Sequence, residues 1–236
     1  MRRRRFIRSA SLGLFLPATM RGSVIPFGFW HGVSGSAPVE LNLIHGWNLY
    51  SHSGDTIPDT VGSLALTNHG GTFDATSWRG DGESAYCDTS AWTVGANNVS
   101  ILVWVHYGNV NRTGMFVDKE PVNGQWELYM TGGLFTLRGG GVTSVNATVV
   151  TGTAGLWRML VGTISGTTGK IYINGSEVAS GTVNAFTDSS STLQVGRYIS
   201  GFYFSDWIGR VQISNTVWTA AQISAAFEDQ RGFFGV

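Results

Sequence analysis

Two carboxylates held about 5 Å apart, commonly on alternate residues of one strand, can cleave a glycosidic bond with retention. The close acidic pairs in this chain are Asp81 with Glu83, Asp118 with Glu120, and adjacent Glu228 and Asp229. The first sits among glycines, the second runs into Pro121, and the third lies in a helical stretch near the C-terminus. These are the settings of solvated turns and helix ends, so no catalytic residue is assigned and no enzyme is expected. His31, His45, His52, His69 and His106 are dispersed, Cys87 stands alone, and no G-x-S-x-G elbow occurs. His45 and His52 are too far apart in sequence for a short-spaced zinc pair, and one Cys cannot complete such a site.

Recognition chemistry is better represented. The stretch Arg197-Tyr-Ile-Ser-Gly-Phe-Tyr-Phe-Ser-Asp-Trp207 places five aromatic residues within ten positions. Aromatic faces beside a cation and a carboxylate can stack on a sugar ring or anchor a protein partner. Arg197, Tyr198, Phe202, Tyr203, Phe204 and Asp206 are therefore the ligand or partner-binding candidates. The competing expectation is that these rings alternate inward and extend the core.

The elements that would carry such a loop are strands. From Leu156 to Gly181, Trp157, Met159, Val161 and Thr163 alternate with Arg158, Leu160 and Gly162, the period of two that gives a strand one apolar face. Gly166 to Gly169 reads as a turn, Ile171 and Ile173 resume the alternation, and Asn174-Gly175 favours a type I′ hairpin. Further strands are expected over 41–50, 64–66, 84–88, 99–107, 115–119, 125–130, 134–138, 142–150, 193–197 and 207–214, with turns at Asn123-Gly124 and Gly132-Gly133. Trp104 is expected in the core with its indole N–H on a carbonyl. Thr219 and Gln222 form a capping box for a short helix in which Ile223, Ala226 and Phe227 share a face; that helix is expected to plug one end of the sandwich. With 33 Gly, nine Trp and only 13% charged residues, the composition agrees with many short strands joined by turns. The single Cys rules out an internal disulfide framework.

Several of these stretches, in order, resemble the LamG-like, concanavalin A-like jelly rolls. Trp157 followed by Lys170-Ile-Tyr-Ile-Asn-Gly175 and Glu177-Val-Ala179 is similar to the family's "W…LYvNG…va" centre. Leu43-Ile-His-Gly-Trp-Asn-Leu49 and Val99-Ser-Ile-Leu-Val-Trp-Val105 resemble its early strands, and Leu193-Gln-Val-Gly196 with Trp207-Ile-Gly-Arg-Val-Gln-Ile213 its closing ones. The resemblance spans roughly residues 41 to 230 and implies an all-β, two-sheet antiparallel jelly-roll sandwich with one short C-terminal helix. Glucanases of this fold carry an E-x-D-x-x-E signature that this chain lacks, so the resemblance implies a non-catalytic relative. Some LamG relatives bind calcium through rim-loop acids; Asp55, Asp59, Asp188 and Asp206 are acids of that kind, but no spacing picks out one site and no ligand is assigned.

The formal charge of zero conceals a division. Residues 1–39 contain six Arg and no acid, so residues 40–236 carry the compensating −6. Residues 1–40 thus read as an extended basic arm and 41–236 as the sandwich. Arg2, Arg3, Arg4, Arg5 and Arg8 are its anchoring candidates. An acidic body argues against nucleic-acid binding by the sandwich, and only the arm is suited to such contact. Arg3-Arg-Arg-Phe-Ile-Arg8 also resembles a twin-arginine export signal, with Leu12 to Met20 as its apolar region. No apolar run approaches the roughly 20 residues that span a bilayer. The expectation is a non-enzymatic virion component of a bacterial virus, multivalent or homo-oligomeric, displayed at the virion surface, docked on other virion proteins through a retained arm and able to bind host-surface glycan. The alternative is an exported lectin in the periplasm or outside the cell.

Overall fold

The computed structural model describes residues 40–109, 111–119, 125–141, 143–148, 154–198 and 201–236. The arginine arm and the Asn123-Gly124 turn lie outside the described residues. In chain order the strands are β1 (Leu43–Asn48), β2 (Thr56–Ile57), β3 (Leu66–His69), β4 (Thr72–Phe73), β5 (Trp78–Arg79), β6 (Tyr86–Thr89), β7 (Asn98–His106) and β8 (Gly114–Lys119). They continue as β9 (Trp126–Thr131), β10 (Leu134–Gly139), β11 (Ser144–Thr148), β12 (Trp157–Ser165), β13 (Thr168–Ile173), β14 (Ser176–Thr182), β15 (Gln194–Val195) and β16 (Trp207–Ser214). One helix, α1 (Ala220–Phe234), follows.

The strands form two antiparallel sheets, as expected. One runs β14-β13-β12-β7-β16-β5-β4 with β1 also paired to β16; the other runs β11-β10-β9-β8-β15-β6-β3-β2. Their inner faces supply the main core, including Val103, Val105, Leu160, Ile164 and Ile213 from the first sheet and Phe116, Leu128, Phe135, Leu137 and Cys87 from the second. Gly162 is a point of close approach: a Cβ there would stand 2.7 Å from the Leu137 side chain. The Asn174-Gly175 turn has both residues at positive φ, 48° and 85°, the type I′ signature read from the sequence. The preceding turn is tighter than expected, because Thr168 and Gly169 already pair with Ser165 and Ile164.

Strands β7 and β12 are buried on both faces. Leu102, Trp104, Met159, Val161 and Tyr172 point away from the second sheet into a separate cluster with Trp218, Ile223, Ala226 and Phe234. The helix therefore does not plug an end of the sandwich; it lies on the outer face of the first sheet. It is also longer than expected, at 15 residues. Its start is the Thr219–Gln222 capping box and its stop is Gly235 at φ 71°, whose N–H returns to the Arg231 carbonyl. Trp104 donates its indole N–H to Gln230 Oε1 at 2.9 Å and stacks on Phe234 at 4.2 Å. Trp157 is on this outer face as well, half-buried beside Phe234, and not in the core between the sheets.

The loops are held by buried polar groups. Lys119 Nζ donates to the carbonyls of Trp92 (2.7 Å) and Ser191 (3.1 Å) and to Ser191 Oγ (2.9 Å). Burial pulls its pKa down to about 8. This cation pins the strap that precedes β15, a strand of only two residues and shorter than the expected 193–197.

Candidate functional site

The outer face of the second sheet carries the polar half of each strand's alternation. In β9 the sequence Trp126-Glu-Leu-Tyr-Met130 sends Trp126, Leu128 and Met130 into the core and leaves Glu127 and Tyr129 on the opposite face. The register then assembles a row: Arg138 opposite Glu127, Glu127 opposite Asp118, Asp118 opposite Gln194, and Gln194 opposite Asp88. Arg138 Nη2 lies 3.3 Å from Glu127 and donates to the Tyr129 hydroxyl at 3.1 Å. Burial acts to lower the Arg138 pKa, but the Tyr129 hydroxyl and the Glu127 carboxylate outweigh it and raise the pKa overall. The Glu127 side chain is 1% exposed and that of Arg138 26%, so the acid is shielded while the basic side chain is partly open to solvent.

The aromatic loop forms a wall beside this floor. Tyr198 and Gly201 exchange backbone hydrogen bonds, and the Phe202 carbonyl accepts from Met115 N–H of β8 at 3.2 Å. Phe202 sits at φ 52°, a left-handed conformation that costs a bulky residue of order 1–3 kcal/mol, and the residue is 60% exposed. Its ring lies 6.1 Å from that of Tyr198. Between the wall and the strands is a cleft of about 240 Å³, lined by Thr113, Tyr129, Thr131, Arg138, Tyr198 and Phe202. The hydroxyls of Thr113 and Thr131 meet at 3.1 Å at its margin.

The six residues singled out in the sequence divide. Tyr198 and Phe202 line the cleft. Arg197 lies farther along the same face, its guanidinium 3.4 Å from the centre of the Tyr86 ring, and Tyr203 is 6.5 Å from that ring. Phe204 and Asp206 are not surface recognition residues. Phe204 is 2% exposed and packs edge-on against Phe116, because alternation after Tyr203 turns it inward; a Cβ on Gly114 would stand 2.7 Å from its ring. Asp206 is 7% exposed, and its backbone carbonyl receives the Gly80 N–H. The expectation that rings extend the core thus holds for Phe204, whereas Phe202 faces outward.

Glu127, Tyr129 and Arg138 escaped the sequence reading. Their only signal was the alternation of β9 and β10, and the register that joins them across strands has no trace in either segment. The same register brings Asp118 and Glu127 together, a carboxylate pair that spacing along the chain could not show. Both are fully buried, and Glu127 also contributes to the lining of the cleft. Among the described residues no group of three or more His, Cys, Asp or Glu could hold a metal ion. Of the rim acids, Asp59 and Asp188 use their carboxylates to accept backbone N–H groups. No helix among the described residues is long and apolar enough to cross a membrane.

Residues 81–224 match the family described as the concanavalin A-like lectin/glucanases superfamily, Laminin_G_3. No curated protein matches the chain. Among solved structures, Trypanosoma rangeli sialidase in complex with sialic acid aligns with TM-score 0.67 at 15% identity, covering 84% of this chain and 35% of that one. A mutant HCR/D chain aligns with TM-score 0.64 at 13% identity, covering 80% and 52%. The binding domain of Paraclostridial Mosquitocidal Protein 1 aligns with TM-score 0.63 at 14% identity, covering 82% and 55%. At these identities the likeness is one of fold, and the chain spans about a third of the sialidase.

Proposed function

The chain belongs to the concanavalin A-like lectin/glucanase superfamily, and from that premise we propose that it is a non-catalytic glycan-recognition domain whose site is the cleft between the aromatic loop and β8–β10. The observation that carries this reading is Phe202, an aromatic ring held out to solvent by a backbone conformation that a bulky residue adopts only at a cost. Stacking on a sugar's C–H face uses such a ring, and the Arg138 edge and the threonine hydroxyls provide the hydrogen bonds that fix orientation. Replacing Phe202 with Ala is expected to weaken glycan binding roughly tenfold or more while leaving the melting temperature nearly unchanged, since the exposed ring packs little and the Cβ that strains the left-handed backbone is kept. Titration calorimetry paired with thermal unfolding checks this; a large stability loss with unchanged binding would assign the ring to structure. Glycan hydrolysis that disappears in Glu127→Gln would sink the non-catalytic reading.

The setting we favour is display on a viral particle, with the arm docked on other virion proteins. It is supported by the charge division, +6 over residues 1–39 against −6 beyond them. Many copies on one particle would make a weak single-site affinity effective by avidity. The export-like segment Arg3-Arg-Arg-Phe-Ile-Arg8 favours a secreted lectin instead. Deleting residues 1–39 should leave a folded, glycan-competent sandwich that no longer co-sediments with particles. A deletion protein that fails to fold would contradict the arm as a separate docking segment.

A further inference from the structure

We infer that the glycan site continues past the aromatic loop into a second subsite, where Arg197 takes an anionic substituent, a carboxylate or a sulfate ester, on a neighbouring sugar. The inference deepens the glycan reading above and rests on it. The loop has two flanks. Tyr198 and Phe202 line the cleft beside β8–β10, whereas Arg197 and Tyr203, one residue before and one after them, meet Tyr86 of β6. Only β15 separates β6 from β8 in the sheet, so the two flanks are about two strand spacings, or roughly 10 Å, apart. That span suits two or three linked sugars and not one.

Arg197 is held ready for such a group. Because β6 lies between β3 and β15, Tyr86 is covered by His69 of β3, stacked at 4.3 Å, and by the Arg197 guanidinium, which follows β15, at 3.4 Å. Arg197 Nε donates to Gln194 Oε1 at 3.1 Å. With one face on the ring and Nε engaged, the two Nη groups form the remaining edge, and neither donates a hydrogen bond among the described residues. Such a planar fork matches two oxygens of one anion, and holding it in place beforehand lowers the ordering cost of binding. Asp88, the acid on this part of the face, is hydrogen-bonded to His69 at 2.9 Å and makes no ion pair with Arg197. Its side chain is 27% exposed, so it acts through solvent from beyond ion-pair distance, whereas the ligand's anion would touch the guanidinium directly.

The test is amide chemical-shift titration of the full chain with three matched ligands: lactose, lactose with C6 of one ring oxidised to a carboxylate, and lactose 6-O-sulfate, each ring being modified in turn. At least one acidic ligand is expected to bind roughly fivefold tighter than lactose at low ionic strength, with added shifts at Tyr86, Gln194, Arg197 and Tyr203. The arm that shows the gain identifies the anion. Arg197→Gln should bring that ligand down to the affinity of lactose. Arg197→Lys, which keeps the charge without the fork, should retain only part of the gain and serves if the first variant does not fold. Equal binding of all three by the unaltered protein, or a gain that survives Arg197→Gln, would overturn the inference and leave the glycan reading standing. Absence of binding by every ligand would overturn the glycan reading, and this inference with it.

Discussion

Trp104→Ala is expected to destabilise the protein by about 3–5 kcal/mol, the cost of emptying a large buried aromatic site. In a domain of this size that lowers the melting temperature by roughly 10 °C. The ring is fully buried between the first sheet and α1, stacked on Phe234 and bonded to Gln230. Its loss would leave the helix's apolar side facing a void and the Gln230 amide without its indole donor. Trp157→Ala, on the same face but half-buried, should cost about 1–2 kcal/mol. Equilibrium urea unfolding of the two variants checks both the magnitude and the order. Equal losses would mean that the helix does not cover the face as described.

The second large effect is at Asp59, which organises the turn between β2 and β3 and ties it to Gly46 of β1. Its carboxylate is fully buried and accepts from the N–H groups of Gly46, Val61, Gly62 and Leu64 while contacting the His45 ring at 2.6 Å. An amide in its place keeps one acceptor oxygen and turns a donor toward the remaining N–H groups. Asp59→Asn should therefore cost about 3 kcal/mol, as buried donors go unsatisfied. Burial alone would raise the Asp59 pKa, but the hydrogen bonds from Gly46, His45, Val61 and Gly62 outweigh it and hold the carboxyl below its ordinary value. A carboxyl with a depressed native pKa stabilises fully above its unfolded value near pH 4, and that contribution disappears as pH falls through the native value. Unfolding free energy measured from pH 7 down to pH 2 should fall less steeply in Asp59→Asn than in the unaltered protein. Asp74 and Asp81, exposed carboxylates in which a partial desolvation is outweighed by backbone and hydroxyl donors that also depress the pKa, would account for the acid dependence that remains. An unchanged slope would show that Asp59 does not hold this network.

Much of the sandwich was legible in the sequence because its turns and caps are local. Asn174-Gly175 announces a hairpin through its own backbone preferences, and Thr219 with Gln222 announces a helix start through hydrogen bonds three residues apart. What covers a strand is not local. Val99-Ser-Ile-Leu-Val-Trp-Val105 is a nearly continuous apolar run, the mark of burial on both faces, yet nothing in it says that one face meets a sheet and the other a helix. The outward placement of Trp157 follows from that missing fact. The cleft was half legible for the same reason. The density of rings from Tyr198 to Trp207 drew attention to its wall, whereas Tyr129 and Arg138 reach the floor through strand register alone. Phe204 shows the limit of reading by composition, since one position of alternation separates an exposed ring from a core one.

The most direct measurement is amide chemical-shift mapping of the protein titrated with a neutral, lactose-terminated oligosaccharide, repeated with Phe202→Ala. Saturable shifts confined to Thr113–Met115, Glu127–Thr131, Arg138 and the residues flanking Tyr198 and Phe202, with a dissociation constant on the order of 1 mM that is lost in the variant, are the predicted result. Shifts centred elsewhere on the sandwich, or shifts that persist undiminished in Phe202→Ala, would contradict the assignment of the cleft as the glycan site.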